Sequence, residues 1–268
     1  MLKDVQGQVD QRHIALKQVG IRDIRWPITL KDPHKGVQHS VAVISLGVNL
    51  PHEQRGTHMS RFVECLKEMG PIHPHDLEIV LDGLKEKLGA KKAMLDMRFP
   101  YFIEKKAPVS GKTGYLDISC HYHAEKGETF HLDVGVNVPI HTLCPCSKEI
   151  SKYGAHNQRA RAKITIRSTK PVWIEELVEM AEASASSPIF SLLKRPDEKF
   201  VTEEAYENPR FVEDAAREIA LRLNQDERID WYRVTVESEE SIHNHNAFAC
   251  VRTRPCISRF LAIKSALN

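Results

Sequence analysis

The sequence predicts an α+β fold in which the order strand–strand–helix–helix–strand–strand occurs twice. Apolar and polar residues alternate over several segments, most clearly Thr129–His141, as they do in strands with one buried face. Between the strand segments lie stretches with apolar residues at helical spacing, such as Thr57–Met69. Such an order is typical of antiparallel sheets with helices on one face. We expect an N-terminal arm (1–20) and two modules, 21–126 and 127–268, that share topology but little sequence.

The elements of the first module follow from strand patterns and turn residues. Thr57 is a suitable N-cap for the first helix, and Gly89 a suitable end for the second. The expected elements are strands Ile21–Leu30 and Val37–Leu50, helices Thr57–Met69 and Pro74–Leu88, and strands Lys92–Lys105 and Gly114–Ala124.

The second module repeats that order. Pro171 and Pro209 stand where a first helical turn tolerates proline, and Asn208 is a good N-cap. The expected elements are strands Thr129–His141 and Arg159–Thr169, helices Pro171–Ala185 and Pro209–Leu223, and strands Arg233–Glu239 and Asn246–Arg254.

Sheets of this kind leave open edges, which favour pairing with further strands. We therefore expect tandem modules to close into a barrel by oligomerisation. A symmetric homo-oligomer with active sites at subunit interfaces follows from that arrangement.

Composition narrows the class of protein. The 268 residues carry a formal net charge of +2, which gives no reason to expect nucleic-acid binding. No apolar run reaches about 18 residues, and the polar N-terminus lacks a signal-peptide core, so we expect a cytoplasmic protein without a membrane segment. Six cysteines are too few for a disulfide scaffold and are expected to be thiols.

Cys144-Pro145-Cys146, with His156 downstream, is the strongest chemical signal. Thiolate and imidazole are preferred zinc ligands, and the absence of a second Cys or His pair favours an open catalytic site over a closed structural one. Both thiols face one pocket if the segment is extended, although Pro145 can separate them. The alternatives are cysteines packed as small apolar residues and a surface histidine without a role.

His243 and His245 form a second cluster, two residues apart and just after Glu239 and Glu240. Both imidazoles can face one cleft, and the carboxylates can bind a metal or orient a histidine. The alternative is a solvated hairpin loop.

Three further segments have structural explanations of their own. The charge run Lys194–Lys199 is typical of a solvated loop between helices. Glu213 lies in the first turns of a helix, where the helix dipole stabilises acids. Arg55, His58 and Arg61 run into a helix N-terminus, a combination suited to phosphate although the P-loop pattern is missing.

One competing zinc signature fails. Nucleobase deaminases carry H-x-E and then P-C-x-x-C. His123 and Glu125 match the first part and Pro145-Cys146 begins the second, but the final cysteine position holds Glu149.

Four segments together resemble GTP cyclohydrolase I of the type IB family: Leu50–Phe62, Leu143–Ser151 with Gly154–Arg159, Leu193–Val201 and Glu239–Phe248. The resemblance implies two tunnelling-fold modules per chain, a homotetramer with sites between subunits, and one divalent metal per site (zinc, or manganese or iron). The implied reaction converts GTP and water to 7,8-dihydroneopterin triphosphate and formate, the first step towards tetrahydrofolate; some members serve deazapurine tRNA modification.

The resemblance also implies residue roles. Cys144, His156 and Glu198 match the metal ligands, and Glu240 and His243 match residues near the metal. Glu213 matches the glutamate that binds the guanine edge. His243 or His245 is the expected proton donor, the role of Cys146 stays open, and Arg55, His58 and Arg61 are candidates for the triphosphate. The alternatives are an NADPH-dependent deazapurine nitrile reductase, which needs a nucleophilic thiol, and a zinc-stabilised binding module.

Overall fold

The computed structural model describes residues 4–70 and 76–253. Within these ranges it contains nine β-strands and six α-helices. In chain order they are β1 (Leu16–Asp32), β2 (Gly36–Leu50), α1 (Met59–Lys67), α2 (Leu77–Leu88), β3 (Ala93–Lys106), β4 (Thr113–Lys126), β5 (Phe130–Leu143), α3 (Pro145–Ile150), β6 (Asn157–Ser168), α4 (Ile174–Glu182), β7 (Ser187–Pro188), α5 (Arg195–Glu207), α6 (Val212–Gln225), β8 (Ile229–Ser238) and β9 (Ala247–Arg252).

The described residues form two compact units, one drawn from residues 4–70, 76–100 and 120–134 and the other from residues 101–119 and 135–253. The strand order runs β1-β2-β3-β4, with β1 and β2 in the first unit, and β5-β6-β8-β9, with β6, β8 and β9 in the second; β7 pairs with β5. The expected antiparallel sheet with helices on one side is confirmed. The tandem modules 21–126 and 127–268 stay a prediction.

In the first unit, β1 and β2 form a long hairpin, with Asp32 paired with Gly36 at its tip. The Asp32 carboxylate accepts the backbone N–H groups of His34 and Lys35, each at 2.8 Å. Gly36 closes the turn at φ +78°, a conformation that favours glycine. The turn expected between these strands is therefore stabilised by its own residues, Asp32 and Gly36.

Helices α1 and α2 bury Phe62, Leu66, Leu81 and Leu84. Gly89 ends α2 in the left-handed conformation, as its position predicts. The N-cap of α1 is His58 rather than Thr57, whose side chain is buried instead. Pro74, the expected start of α2, lies outside the described residues.

Backbone hydrogen bonds attach part of the N-terminal segment, expected as an arm, to the rest of the first unit. The backbone N–H of Asp10 donates to the Glu53 carbonyl, and Val9 forms a bridge with Gln54. Strand β1 begins at Leu16, inside the segment expected to be irregular. The polar sequence did not indicate this strand, because an edge segment is held by backbone hydrogen bonds, which depend little on side-chain type.

In the second unit, β6, β8 and β9 form an antiparallel ladder in which Ala160 pairs with Ser238, and Ser238 with Ala247. The loop between β8 and β9 therefore projects from the end of the sheet where β6 begins. Both polar clusters of the sequence, around residues 156 and 243, lie at this end.

The charge run from Lys194 to Lys199 is not a loop, because α5 begins there. Asp197 is fully buried and its carboxylate accepts hydrogen bonds from the backbone N–H groups of Lys194, Val109 and Ser110 at 2.7–2.8 Å. Burial alone raises the pKa of this carboxyl, but the hydrogen bonds, led by that from the Ser110 side chain, outweigh it and lower the pKa. A capping carboxylate thus explains why a charged segment forms a helix.

Asn208 is not the N-cap of α6. It ends α5, and its side-chain amide donates to the carbonyls of Ala185 and Ser186. Phe211 is the N-cap, and its N–H donates to Asp214 at 3.1 Å.

In the described part of the chain, none of the helices has the length and apolar character needed to cross a membrane.

Candidate functional site

A cavity of about 260 Å³ opens in the second unit where β5, β6, α6 and the β8–β9 loop meet. It gathers most of the chemically active side chains that the sequence analysis selected. The lining residues are Thr142, Cys144, His156, Gln158, Arg210, Phe211, Val212, Glu213, Ser238, Glu240, His243, His245 and Ala247.

Cys144 follows the end of β5 and is the N-cap of α3. Its sulfur accepts the backbone N–H of Ser147 at 3.4 Å, and its own N–H donates to the His156 carbonyl at 3.1 Å. The side chain is half-buried. The short helix therefore holds one thiol at the cavity wall and fixes it next to the backbone of His156.

Cys146 does not share that position. Because Pro145 starts a helix rather than extending the strand, Cys146 lies in the first turn of α3, is exposed, and does not line the cavity. The two thiols consequently do not face one pocket.

His156 is held from three sides. Gly154, at φ +130°, turns the chain before it. The backbone N–H of His156 donates to the Ser147 hydroxyl at 3.3 Å. Its Nδ1 lies 2.9 Å from the Gln158 side-chain oxygen. If Nδ1 carries the proton of that hydrogen bond, Nε2 presents a lone pair, as a metal-binding imidazole requires.

Glu240 lies beside this imidazole. One carboxylate oxygen is 3.9 Å from His156 Nδ1, and both side chains are 13% exposed. The other oxygen accepts the Ser238 hydroxyl. The end of β8 therefore supplies an acid to the same cavity.

The β8–β9 loop carries two exposed imidazoles. The rings of His243 and His245 are stacked with centroids 5.1 Å apart, and the ring of His243 meets that of His156 edge-on at 6.4 Å. Three imidazoles thus form a row along one wall of the cavity. The expectation that His243 and His245 face one cleft agrees with this placement.

The start of α6 also lines the cavity. Glu213 lies in its first turn, and Arg210 and Phe211 immediately precede the helix. The N–H of Arg210 donates to the Leu143 carbonyl at 3.0 Å, which ties this wall to the residue before Cys144.

Glu198 is not part of the cavity lining. It lies exposed in the first turn of α5, next to the buried Asp197. Within residues 4–70 and 76–253, no three His, Cys, Asp or Glu side chains stand close enough together to hold a metal ion. The role of Glu198 stays a prediction.

The candidate triphosphate residues all lie in the first unit. Arg55 donates to the Gln8 side chain at 2.8 Å, and Arg61 donates to the Lys87 carbonyl at 2.7 Å. His58 Nε2 lies 3.5 Å from Asp4. Each of these side chains therefore already has a partner.

The lining residues that the sequence analysis gave no role include Thr142, Gln158 and Arg210. Gln158 lies in β6 and His156 immediately precedes that strand, and residues two apart on an extended segment lie on one face. That spacing was the available signal. For Arg210 no local signal exists, because its place depends on the contact with Leu143.

Thiol, imidazole and carboxylate groups that share one small cavity define the site of an enzyme. The chain matches the sequence model of a family described as type I GTP cyclohydrolase folE2 over residues 2–249. The chain belongs to this family.

Two relatives named GTP cyclohydrolase FolE2 illustrate the similarity. The one from Thermotoga maritima is 58% identical over 250 residues, which cover 93% of this chain and 96% of the relative. The one from Caldicellulosiruptor bescii is 56% identical over 248 residues, covering 92% and 97%.

Solved uricases share the fold at low sequence identity. Uricase from Arthrobacter globiformis superposes with a TM-score of 0.51 at 8% identity, covering 96% of this chain and 97% of its own. Urate oxidase from Bacillus sp. TB-90 gives 0.52 at 11% identity, covering 89% and 99%. These neighbours are tunnelling-fold proteins, which agrees with the expected fold.

Proposed function

We propose that this protein is a GTP cyclohydrolase that converts GTP and water to 7,8-dihydroneopterin triphosphate and formate, the first step of tetrahydrofolate biosynthesis. One observation carries the proposal: a single cavity collects Cys144, His156, Glu240, His243 and Glu213, five of the positions that match functional residues of the family to which the chain belongs. The competing nitrile reductase is not favoured by that family membership.

The reaction needs water at C8 of the purine, the carbon between two ring nitrogens. A first water opens the ring at C8, a second releases that carbon as formate, and ring closure with the rearranged sugar expels one water. The net reaction therefore consumes one water. Two hydrolytic steps at one carbon call for a proton donor and a proton acceptor close together.

The residues of the cavity divide these tasks. Glu213 accepts N–H groups of the guanine edge and so fixes the base. His243 or His245 donates a proton to the ring nitrogen that leaves C8.

A divalent metal fits the donor set by its chemistry. The sulfur of Cys144, Nε2 of His156 and a carboxylate of Glu240 or Glu198 would offer S, N and O ligands, a mixture that suits zinc and also harder ions such as manganese or iron. Because no three such side chains stand close enough together among the described residues to hold an ion, binding would have to draw them together. When bound, such an ion makes a water molecule acidic near neutral pH. The hydrogen bond from His156 to Gln158 prepares the imidazole for this role.

We further propose that the chain works as a homotetramer with sites between subunits, by analogy with the family. In that assembly Arg55, His58 and Arg61 of another copy can reach the triphosphate. None of the five described cysteines forms a disulfide, which supports a cytoplasmic address. Light scattering at working concentration tests the tetramer.

The decisive experiment incubates the purified protein with GTP and measures formate together with the fluorescence of oxidised neopterin. We expect both products from the wild-type chain. Cys144→Ala is expected to lower the rate at least about 100-fold if its thiol is a ligand, whereas the matched control Cys146→Ala keeps most of it. Full turnover by Cys144→Ala would refute the assignment of Cys144, and absence of formate from the wild-type protein would refute the proposed function.

A further inference from the structure

Arg210 carries a buried donor without a partner. Its Nε is shielded from solvent and forms no hydrogen bond with any described group. An unpaired buried donor of a charged group is unfavourable, and folded proteins rarely retain one without a reason. A ligand that brings an acceptor removes this cost.

The position of Arg210 limits the kind of ligand that can supply this acceptor. Its backbone is fixed to Leu143 by the 3.0 Å hydrogen bond, and its side chain lines the same cavity as Glu213, three residues later. The cavity, at about 260 Å³, lies below the usual range of ligand pockets, about 300–1,000 Å³. It therefore suits a purine base better than a complete nucleoside triphosphate.

The edge of guanine presents two donors, N1–H and the 2-amino group, followed by one acceptor, O6. A carboxylate at Glu213 matches the donors, and the acceptor then needs a donor beside that carboxylate. Arginine is the side chain that most often binds O6 of guanine. We propose that Arg210 donates a hydrogen bond to O6 of the guanine base and is a specificity-determining residue of this site; the inference rests on the proposed function.

Arg210 and Glu213 together would select guanine over adenine. An adenine base carries an amino group where guanine carries O6 and an acceptor where guanine carries N1–H. Arg210 would then meet a donor, and Glu213 would meet an acceptor. Both mismatches leave buried polar groups unpaired, which is the strongest basis for rejecting a related ligand.

The test uses nucleotide binding rather than turnover. 7-Deaza-GTP keeps the guanine edge and the triphosphate but lacks N7, so C8 has no amidine bond to hydrolyse. Its dissociation constant is measured by calorimetry on the full-length wild-type protein and on Arg210→Ala and Arg210→Lys. Arg217→Ala is the matched control, because Arg217 lies in α6, the helix that follows Arg210, is 74% exposed and lies outside the cavity lining.

We expect Arg210→Ala to weaken 7-deaza-GTP by between about 10-fold and 100-fold, as loss of a hydrogen bond from a charged donor implies. The same factor is expected for 7-deazaguanosine, which lacks the phosphates. For 7-deaza-2,6-diaminopurine riboside triphosphate, which lacks O6, the variant and wild type should differ little. Arg210→Lys keeps the charge without Nε; it should fold as the wild type by circular dichroism and still bind 7-deaza-GTP weakly.

Other outcomes overturn the proposal. Weakening confined to the two triphosphates would place Arg210 on a phosphate, and unchanged affinity in both variants would give it no role in binding. Lack of 7-deaza-GTP binding by the wild-type protein would reject it as well. If the wild-type chain binds 7-deaza-GTP through Arg210 but releases no formate from GTP, only the proposed function fails.

Discussion

Gln158 offers a direct test of how the cavity prepares its histidine. Its side-chain oxygen lies 2.9 Å from His156 Nδ1, and its amide nitrogen donates to the Thr142 hydroxyl at 3.3 Å. This second contact orients the amide, so the oxygen faces the imidazole. Gln158→Leu keeps the approximate size of the side chain and removes both hydrogen bonds.

The expected magnitude follows from the burial of the pair. The His156 side chain is 13% exposed, so little water is available to replace the lost partner. A net loss of about 1.4 kcal/mol corresponds to a factor of 10, and losing a partner of a metal-binding histidine typically reduces metal affinity 10-fold to 100-fold. We therefore expect zinc affinity to fall by about 10-fold or more.

The assay titrates zinc into metal-free protein against a chromophoric chelator, with formate release from GTP as a second readout. Gln158→Glu retains the acceptor and should recover affinity relative to Gln158→Leu. Gln225→Leu, at the end of α6, is the matched control because it lies outside the cavity. Zinc affinity of Gln158→Leu equal to that of the wild type would refute the role given to this hydrogen bond.

Further predictions concern stability and metal removal. Because hydrogen bonds from Ser110 and its neighbours outweigh the effect of burial and lower the pKa of Asp197, its contribution to stability is complete above the unfolded pKa, near 4, and is lost as the pH falls below it. Asp197→Asn should lower Tm by several degrees at pH 7 and by less at pH 3; equal decreases at both would contradict this account. Gly83→Ala in α2 meets open space and should raise the free energy of unfolding by about 0.5–1 kcal/mol in urea titrations. Gly20→Ala should lower it, since the new Cβ would stand 1.9 Å from the Leu46 carbonyl oxygen; a stable Gly20→Ala protein would show that β1 shifts freely. Chelation is expected to abolish formate release and leave the far-ultraviolet circular dichroism unchanged, because both units have apolar cores; unfolding on chelation would indicate a structural metal.

Regular elements were predictable where one face is buried. Strand β5 buries Leu132, Val134, Val138 and Ile140, and its alternation gave its limits within two residues. Helix α5 could not be predicted in the same way, because Asp197 is buried through partners almost ninety residues away and has no local signal distinguishing it from a solvated acid.

The site residues likewise fall into those that local sequence predicts and those that depend on distant contacts. Residue chemistry and spacing identified Cys144, His156 and His243, which the fold brings to one cavity. The roles of these residues stay predictions. Gln158 and Arg210 were not predicted as cavity residues, because the position of each depends on a contact distant in sequence. Gln158 contacts Thr142, and Arg210 contacts Leu143.

The four hydrogen bonds that Asp197 accepts have a consequence for how this protein can vary. They fasten the connection between β3 and β4 to the first turn of α5, one residue before Glu198. Surface connections usually tolerate insertions and deletions. Here a change of length at residues 107–112 would withdraw the donors at Val109 and Ser110, displace the start of α5 and move Glu198 with it. We therefore expect this connection to keep a fixed length among active relatives, although it is a surface loop.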